Sequence, residues 1–298
     1  MMSNERDPDL PPIVLAFAAT DPSGGTGLAA DLLALASMGC HPLSVVTALT
    51  VQDTLGLQGV QAVDAEWVAD QARCVLEDMP VDAFKVGALG SVETVAAVAE
   101  ILSDYPDVPL VLDPVLVSAR GDDLAGEDMV RAIAELLVPQ TTVLVVTDLE
   151  ARRLADGDDD ESTVAACAGA LVERGAEFVL LTGTNEPGRE VVNTLYGRDG
   201  VVRTDAWPRL PGTFHGAGGT LSAALAAMLA NGLDLPEAVR EAQDYTWSAL
   251  KRAYRPGMGR FLPDRLFWAR EEREALGDAA ETPEAPEASR RADARGAH

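Results

Sequence analysis

Short apolar runs alternate with longer amphipathic segments along most of the chain. Runs such as VLVV at 143–146 are continuously hydrophobic, which is typical of strands buried on both faces of a parallel sheet. The longer segments place apolar residues at helical spacing and predict helices between successive strands. The predicted strands are 13–19, 43–50, 83–86, 110–112, 143–146 and 178–181, and the predicted helices are 28–38, 66–78, 91–103, 126–137, 148–155, 162–174 and 235–254. This alternation predicts an α/β sandwich with parallel strands and crossover helices.

The pattern changes in the last third of the chain. Two short runs within 190–205, divided by residues 197–200, predict a β-hairpin at the edge of the sheet. The stretch FHGAGGTLSAALAAMLANG at 214–232 predicts a helix that begins on a glycine turn and ends at a glycine cap. Because the first backbone N–H groups of a helix have no intrahelical partner, such a turn can bind a phosphate. The alternative is a glycine loop where two backbones pass closely.

Two further polar turns follow predicted strands. The turn TDPSGGTG at 20–27 contains Asp21 and three glycines, but it matches neither the P-loop nor the GxGxxG fingerprint. The second turn begins with Gln52 and Asp53. Ligands of open parallel sheets bind outside the carboxyl ends of the strands. Both turns are therefore predicted to border a ligand site.

Composition limits the functions open to the chain. Its 298 residues carry 23 Lys and Arg against 48 Asp and Glu, a formal net charge of -25, which argues against binding nucleic acid or an anionic membrane. We expect one domain at 13–268, with a polar lead-in at 1–12 and a disordered acidic tail at 269–298. The chain shows no apolar targeting segment and no stretch of membrane-spanning length, so we expect a cytoplasmic protein.

The cysteines and the most acidic run suggest no metal centre. Cys40, Cys74 and Cys167 have neither CxxC spacing nor nearby His partners, so we expect buried thiols and not a zinc site or a disulfide framework. The run DGDDDE at 156–161 lacks the later Glu of an EF-hand and is expected to be a solvated loop.

Several of these stretches together resemble a known family. ATDPSGGTGLAAD, TALTVQDT, FKVGALG, VLDPVLVSARGDDL and HGAGGTLSAALA are similar in order and interval to motifs of the hydroxymethylpyrimidine and phosphomethylpyrimidine kinases of thiamine biosynthesis, in the ribokinase-like superfamily. The resemblance covers about residues 13–268. It implies a three-layer α/β/α sandwich with a mostly parallel central sheet, and a homodimeric enzyme. It also implies transfer of the ATP γ-phosphate, with Mg²⁺, to 4-amino-5-hydroxymethyl-2-methylpyrimidine and then to its monophosphate.

On the pyrimidine side, the resemblance assigns five residues. Asp31 and Gln52 would hydrogen-bond the aminopyrimidine, while Ala19, Ala88 and Val115 would line its pocket. The amide of Gln52 suits a ring nitrogen beside an exocyclic amine, because it offers one donor and one acceptor. By themselves, the residues favour a simpler interpretation, in which Asp31 is an acid in the first turns of a helix and Gln52 is a loop amide.

On the phosphate side, Asp113 after a strand and Glu150 at the start of a helix match positions that help to hold Mg²⁺. The simpler alternatives are that Asp113 caps the end of its strand and that Glu150 is a favourable negative charge at a helix start. The glycine turn would supply backbone N–H groups where charge develops during transfer. The residues assigned by position are Gly216, Ala217, Gly218 and Gly219 for the transferred phosphate, and Thr147, Thr182 and Gly183 for the nucleotide.

Three departures from the family pattern leave the activity open. Gly219 replaces the Cys that ends the family's GTGC or GSGC turn, and glycine cannot accept a proton. Thr147 and Thr182 replace the Asn of TPNxxE and the Lys of KGGH. One hypothesis is a kinase that works without the thiol; the other is a pyrimidine-binding protein of kinase ancestry with weak or no catalysis. A sugar or nucleoside kinase fits less well, because those enzymes place Asp at the Gly219 position and insert an early lid of strands, which is not predicted here.

Overall fold

The computed structural model describes residues 10–117, 124–155, 163–183 and 188–270. Three segments that the sequence analysis concerns lie outside the described residues. They are the acidic loop at 156–161, residues 184 and 185, and the predicted tail at 269–298 beyond residue 270. The strands are β1 (Ile13–Ala18), β2 (His41–Val46), β3 (Ala48–Gln52), β4 (Leu57–Ala62), β5 (Ala83–Val86), β6 (Leu110–Leu112), β7 (Val143–Val146), β8 (Phe178–Leu181), β9 (Glu190–Gly197) and β10 (Gly200–Pro208). The helices are α1 (Gly27–Ser37), α2 (Ala65–Asp78), α3 (Val92–Ser103), α4 (Glu127–Ala132), α5 (Asp148–Leu154), α6 (Val164–Glu173), α7 (Ala217–Ala230) and α8 (Leu235–Lys251).

The central sheet has eight strands in the order β10-β9-β8-β7-β6-β5-β1-β2. The six strands from β8 to β2 are parallel to one another, as the alternation of strands and helices predicts. β9 and β10 form an antiparallel hairpin on the β8 edge, which confirms the predicted edge hairpin. Because the strands are parallel, their carboxyl ends lie along one edge of the sheet.

Apolar layers cover both faces of the sheet. On one face, α2 to α6 pack against buried residues such as Phe17, Phe84 and Leu112. On the other face, α1, α7 and α8 pack against Val14, Ala16 and other small residues. The middle of α7 is a run of buried alanines and leucines, so its backbone can lie close to the sheet. The result is the three-layer α/β/α sandwich that the resemblance implies.

The predicted strand at 43–50 is wrong as a single strand. β2 ends at Val46 and β3 begins at Ala48, and β3 pairs with β4 in a separate two-stranded antiparallel sheet. Between them, the Thr47 backbone N–H donates to Ala18 O and its hydroxyl donates to Ala88 O at 2.6 Å, so Thr47 anchors the point where the chain leaves the main sheet. β4 was missed because LQGVQA contains a glycine and two glutamines and has little hydrophobic signal. An early insertion of strands is thus present, contrary to the sequence-based expectation.

Two helices differ from their predicted ends. The helix predicted at 126–137 is α-helical only to Ala132 and continues as a π turn at Ile133–Leu137 and a 3₁₀ turn at Val138–Gln140. Pro139 lacks a backbone N–H, which prevents a regular helix from continuing there. α8 ends at Lys251, three residues earlier than predicted.

The cysteines behave differently from one another. Cys40 and Cys167 are buried, but Cys74 is exposed, so the expectation of three buried thiols is wrong for Cys74. Cys74 lies on α2, whose amphipathic pattern buries Val68, Ala69 and Ala72 and leaves position 74 outside. None of the helices in the described part of the chain combines the length and apolar character needed to cross a membrane.

Candidate active site

A cavity of about 520 Å³ opens at the carboxyl ends of the parallel strands. Its wall contains residues that follow β1, β6, β7 and β8, together with the first residues of α7 and the inner face of the β3–β4 sheet. This is the position at which open parallel sheets bind ligands. Lys85 and Arg260 are the cationic residues of the described wall, and Asp113 and Glu150 are its carboxylates.

The structure brings most of the predicted site residues to this one cavity. Those in the wall are Ala19, Gln52, Ala88, Val115, Asp113, Glu150, Thr147, Thr182, Gly216, Ala217, Gly218 and Gly219. Asp31 and Gly183 lie next to the cavity but are not part of its wall. Val115 has a φ of 47°, a left-handed conformation that is strained for a β-branched side chain and marks a constrained backbone in the wall.

The first turn of α7 is shaped by close contact with the turn at 20–27. Gly216 caps the helix with a φ of 91°, and a Cβ on it would lie 1.7 Å from the Gly25 carbonyl oxygen. The Arg265 guanidinium donates to Gly24 O at 3.2 Å, to Gly25 O at 2.6 Å and to Thr220 Oγ1 at 3.0 Å. Arg265 therefore ties the two glycine turns together. The first residues of α7 line the cavity, and the first N–H groups of a helix have no intrahelical partner, so this end of the helix has the chemistry to bind an anion.

His215 connects the two predicted ligand turns. Its Nε2 lies 2.9 Å from Asp21 Oδ2 and 2.9 Å from the Gln52 side-chain nitrogen. Burial alone would raise the pKa of Asp21, but hydrogen bonds from His215, Ser23 and Thr26 outweigh it and hold the pKa below its usual value. Asp21 is therefore an ionised acceptor for the His215 Nε2–H, and because that nitrogen cannot also accept a hydrogen bond, the end of the Gln52 side chain packs against the ring without one.

Asp31 is not where the resemblance suggests. Its side chain is fully buried in α1, behind the cavity wall, and Oδ2 accepts a hydrogen bond from Lys85 Nζ at 2.8 Å. A direct hydrogen bond from Asp31 to the pyrimidine is thus not supported by its position. Burial raises the pKa of Asp31, and the Lys85 ammonium opposes that rise. Lys85 itself lies in the cavity wall, so the ion pair with Asp31 holds a cation at the surface of the cavity.

Asp113 and Glu150 differ in how far they are engaged by the protein. Asp113 accepts from the Ser222 hydroxyl at 2.9 Å, and burial raises its pKa while Lys85 opposes the rise. Glu150 forms a capping box: Oε2 accepts from the backbone N–H and hydroxyl of Thr147, and Oε1 accepts from the Leu116 N–H at 3.0 Å. Burial raises the pKa of Glu150 and the nearby Asp113 raises it further. The interpretation of Glu150 as a favourable acid at the start of a helix is therefore confirmed.

Thr182 and Gly183, which the resemblance assigns to the nucleotide, are held by hydrogen bonds within the protein. The Thr182 N–H donates to Val146 O at 2.9 Å, and the Gly183 N–H donates to Asn193 Oδ1 at 2.8 Å. Asn193 donates in turn to Gln243 on α8, which also bonds Asp205 on β10. Gly183 therefore positions the end of β8 through the edge hairpin, and its N–H is already used within the protein.

Sequence reasoning assigned no role to Lys85 or Arg265. A signal for Lys85 existed, because a lysine stands inside AFKV, a strand that is otherwise wholly apolar. Such a buried cation needs an anionic partner, which here comes from α1. Arg265 carries no comparable local signal, because two of its partners are backbone carbonyls more than two hundred residues away and the third, the Thr220 hydroxyl, is 45 residues away.

Comparison with known proteins agrees with this geometry. The family model described as phosphomethylpyrimidine kinase matches residues 21–264. A hydroxymethylpyrimidine/phosphomethylpyrimidine kinase of Rhizobium meliloti is 37% identical over 249 residues, covering 83% of this chain and 93% of the relative. The crystal structure of phosphomethylpyrimidine kinase from Clostridium difficile matches with a TM-score of 0.70 and 28% identity, over 80% of this chain and 99% of that one. The pyridoxal kinase of Staphylococcus aureus in complex with ADP matches with a TM-score of 0.79 and 25% identity, over 87% and 95% of the two chains.

Proposed function

Because the chain belongs to the phosphomethylpyrimidine kinase family, we propose that it is a phosphotransferase of thiamine biosynthesis. It transfers the γ-phosphate of ATP to the hydroxymethyl group of 4-amino-5-hydroxymethyl-2-methylpyrimidine, and then phosphorylates the resulting monophosphate. The observation that carries this proposal is the meeting of three features in one cavity: the Gln52 amide, the Asp113 carboxylate and the glycine start of α7. A volume of about 520 Å³ is in the range of small-ligand sites.

The pyrimidine lies against the β3–β4 side of the cavity in this proposal. Gln52 pairs with a ring nitrogen and the exocyclic amine, since an amide offers a donor and an acceptor side by side. Ala19 and Ala88 leave room for a flat ring, because their side chains are small. Val115 borders the same space on a turn of constrained backbone. His215 limits the orientations open to Gln52, which supports discrimination between an aminopyrimidine and an analogue lacking the amine.

The phosphate groups lie toward the start of α7. Backbone N–H groups of Ala217, Gly218 and Gly219 hydrogen-bond the transferred phosphate, and Lys85 and Arg260 add positive charge to the wall. Transfer through a loose transition state depends mainly on positioning and on such electrostatic stabilisation. The hypothesis of a binding protein without catalysis gains no support, because the helix start, the carboxylates and Gln52 all surround the same space.

Asp113 fits a Mg²⁺ ion better than Glu150 does. One Asp113 oxygen is engaged by Ser222, and its carboxylate lies in the cavity wall, whereas the Glu150 oxygens already accept three hydrogen bonds. Mg²⁺ keeps several waters and uses substrate phosphates as ligands, so a site with one or two protein carboxylates is sufficient. When bound with ATP, the ion would neutralise developing phosphate charge. Thr147 and Thr182 would border the nucleotide on this side.

The direct test is a coupled ADP-release assay with ATP, MgCl₂ and either the hydroxymethylpyrimidine or its monophosphate. We expect turnover with both substrates. Gln52→Ala should raise KM for the pyrimidine by about 10–100-fold, since one bidentate amide contact is lost. Gln58→Ala is the matched control, because Gln58 is exposed on β4 and lies outside the cavity wall. Absence of turnover with both substrates would refute the kinase assignment; pyridoxal is included as an alternative substrate.

We also propose that the protein is a cytoplasmic homodimer. The outer face of the β3–β4 sheet supports a dimer, because Leu49 and Val51 project from it and are more than half exposed. Sedimentation analysis at micromolar concentration should give twice the 31.3 kDa mass of one chain. A monomer under these conditions would contradict the proposal.

A further inference from the structure

The structure points to the group that takes the place of the missing thiol. This inference rests on the proposed kinase function. Phosphorylation of an alcohol requires the hydroxyl proton to leave, and Gly219, where the resemblance implies a Cys, has no group that can accept it. The question is which side chain of this protein lies beside Gly219 and can accept a proton.

Two oxygen atoms surround the space that a side chain at position 219 would fill. A Cβ built on Gly219 would lie 3.3 Å from Thr26 Oγ1 and 3.7 Å from Asp31 Oδ1. Gly219 and Thr26 are both in the cavity wall. Without a side chain at 219, only the space beside Gly219 separates the cavity wall from the buried Asp31 carboxylate.

The free oxygen of Asp31 is unusual. Within the described residues, Asp31 Oδ1 is one of two buried side-chain oxygen atoms without a hydrogen-bond partner. Buried carboxylate oxygens are rarely left unpaired, and such an atom in a native fold calls for an explanation. Lys85 holds the other oxygen at 2.8 Å, so the carboxylate is fixed with Oδ1 directed toward Gly219.

Thr26 Oγ1 lies on the other side of the space beside Gly219 and makes no direct hydrogen bond to Asp31 Oδ1, so one water is needed to connect the two oxygens. Thr26 precedes α1, and its backbone N–H donates to Asp21 Oδ2 at 2.9 Å, which holds its position. Its hydroxyl does not cap α1, so it remains able to accept one hydrogen bond and donate another. A hydroxyl with both roles can hold one water in this space.

We propose that Asp31 is the proton acceptor for the hydroxymethyl group, reached through one water that the Thr26 hydroxyl holds in the space beside Gly219. In the first phosphorylation, the substrate oxygen forms a bond to the γ-phosphorus and the bond from that phosphorus to the β,γ-bridging oxygen breaks. The electron pair of the broken bond leaves with ADP. The hydroxyl proton passes to the Asp31 carboxylate and is later released to solvent. The raised pKa of a buried carboxylate makes it a better acceptor than an exposed one.

The second phosphorylation distinguishes this role from a structural one. Its nucleophile is a phosphate oxygen, and a phosphate monoester with a second pKa near about 6 has already lost that proton at pH 8. Removing the acceptor should therefore slow the first step and spare the second. A variant that merely misfolds or loosens the site would lose both activities together.

The experiment measures kcat for both substrates at pH 8 in a matched set of variants. Asp31→Asn keeps an oxygen for Lys85 but removes the basic carboxylate, and should lower the ratio of kcat on the alcohol to kcat on the monophosphate by about 10²–10⁴-fold. Adding Gly219→Cys to Asp31→Asn should restore much of the first activity by supplying a thiol, whereas adding Gly219→Ala should not. Thr26→Val and Thr26→Ser, which remove and keep the hydroxyl, test the connection in the same way.

The outcomes distinguish failure of Asp31 as the proton acceptor from failure of the kinase function. Selective loss of the alcohol reaction, rescued by Gly219→Cys, supports Asp31 as the acceptor. Equal loss of both reactions, or an unchanged alcohol reaction in Asp31→Asn, overturns it. If the unmodified protein phosphorylates neither substrate, the kinase function itself fails. A Thr26→Val variant as active as Thr26→Ser overturns the role of the Thr26 hydroxyl in holding the water.

Discussion

Lys85→Met should destabilise the protein strongly, because it leaves the Asp31 carboxylate buried without its cation. Lys85 and Asp31 are 2% and 0% exposed, with 2.8 Å between Nζ and Oδ2. At an effective dielectric constant of about 20, that contact is worth roughly 6 kcal/mol of attraction, opposed by several kcal/mol of desolvation for each ion. The intact pair is thus close to neutral for stability, whereas an unpaired carboxylate is not.

The magnitude follows from the easiest relief open to Asp31, which is to take up a proton. Holding a carboxyl of ordinary pKa about 3.9 neutral at pH 7 costs about 1.4 kcal/mol per pH unit, or about 4 kcal/mol. We therefore expect Lys85→Met to lower the free energy of unfolding by about 3–5 kcal/mol at pH 7. The folded variant then binds a proton that the unfolded chain releases, so its deficit should shrink by about 1.4 kcal/mol per unit as the pH falls from 7 to 5.

Urea unfolding followed by circular dichroism at pH 7 and pH 5 measures both quantities. The double variant Lys85→Met with Asp31→Asn should recover part of the loss, with a coupling free energy of about 2–3 kcal/mol. The matched control is Arg73 and Glu100, a 3.1 Å pair that is 51% and 73% exposed, whose coupling should stay below about 1 kcal/mol. A Lys85→Met deficit below about 1 kcal/mol, or one that does not shrink at pH 5, would refute this reasoning.

Two other predictions concern thiols and acid stability. Only Cys74 should react rapidly with a thiol reagent in the folded protein, because burial raises the pKa of Cys40 to about 11 and Cys167 is also buried; counting thiols before and after unfolding checks this. Asp21→Asn should be destabilising at neutral pH, and the deficit should begin to shrink as the pH falls below about 4 and disappear once the pH is below the lowered pKa of Asp21 in the native protein. A loss of stability that does not depend on pH would mean that the charge of Asp21 does not contribute to the stability of the native protein.

The predictability of the fold varies with the kind of signal. β7 and β8 were predicted residue for residue, because strands buried on both faces are continuously apolar. β4 was missed, because half-exposed strands with glycine and glutamine carry no such pattern. The break at Thr47 depends on bonds to Ala18 and Ala88, which come from other elements and leave no mark on the local sequence.

Much of the site could likewise be predicted from motifs, and the role of Asp31 could not. Gln52, Asp113 and the glycine start of α7 follow strands or begin a helix, and the carboxyl ends of parallel strands necessarily share one edge. Whether a carboxylate on α1 faces the cavity or lies behind it depends on its angular position and on the neighbours that pack there. That outcome was set by Lys85 of β5, more than fifty residues away.

The sequence alone therefore determined the order of the elements of the main sheet and its helices, the parallel sheet, the family and the edge of the sheet at which the candidate site lies. These depend on hydrophobic periodicity and on short motifs, which are local properties of the chain. Only the tertiary structure decided that Arg265 ties two glycine turns together, that Glu150 is consumed in a capping box and that Asp31 stands beside the gap at Gly219. Those facts depend on distances between residues far apart in sequence, which packing fixes and local pattern does not contain.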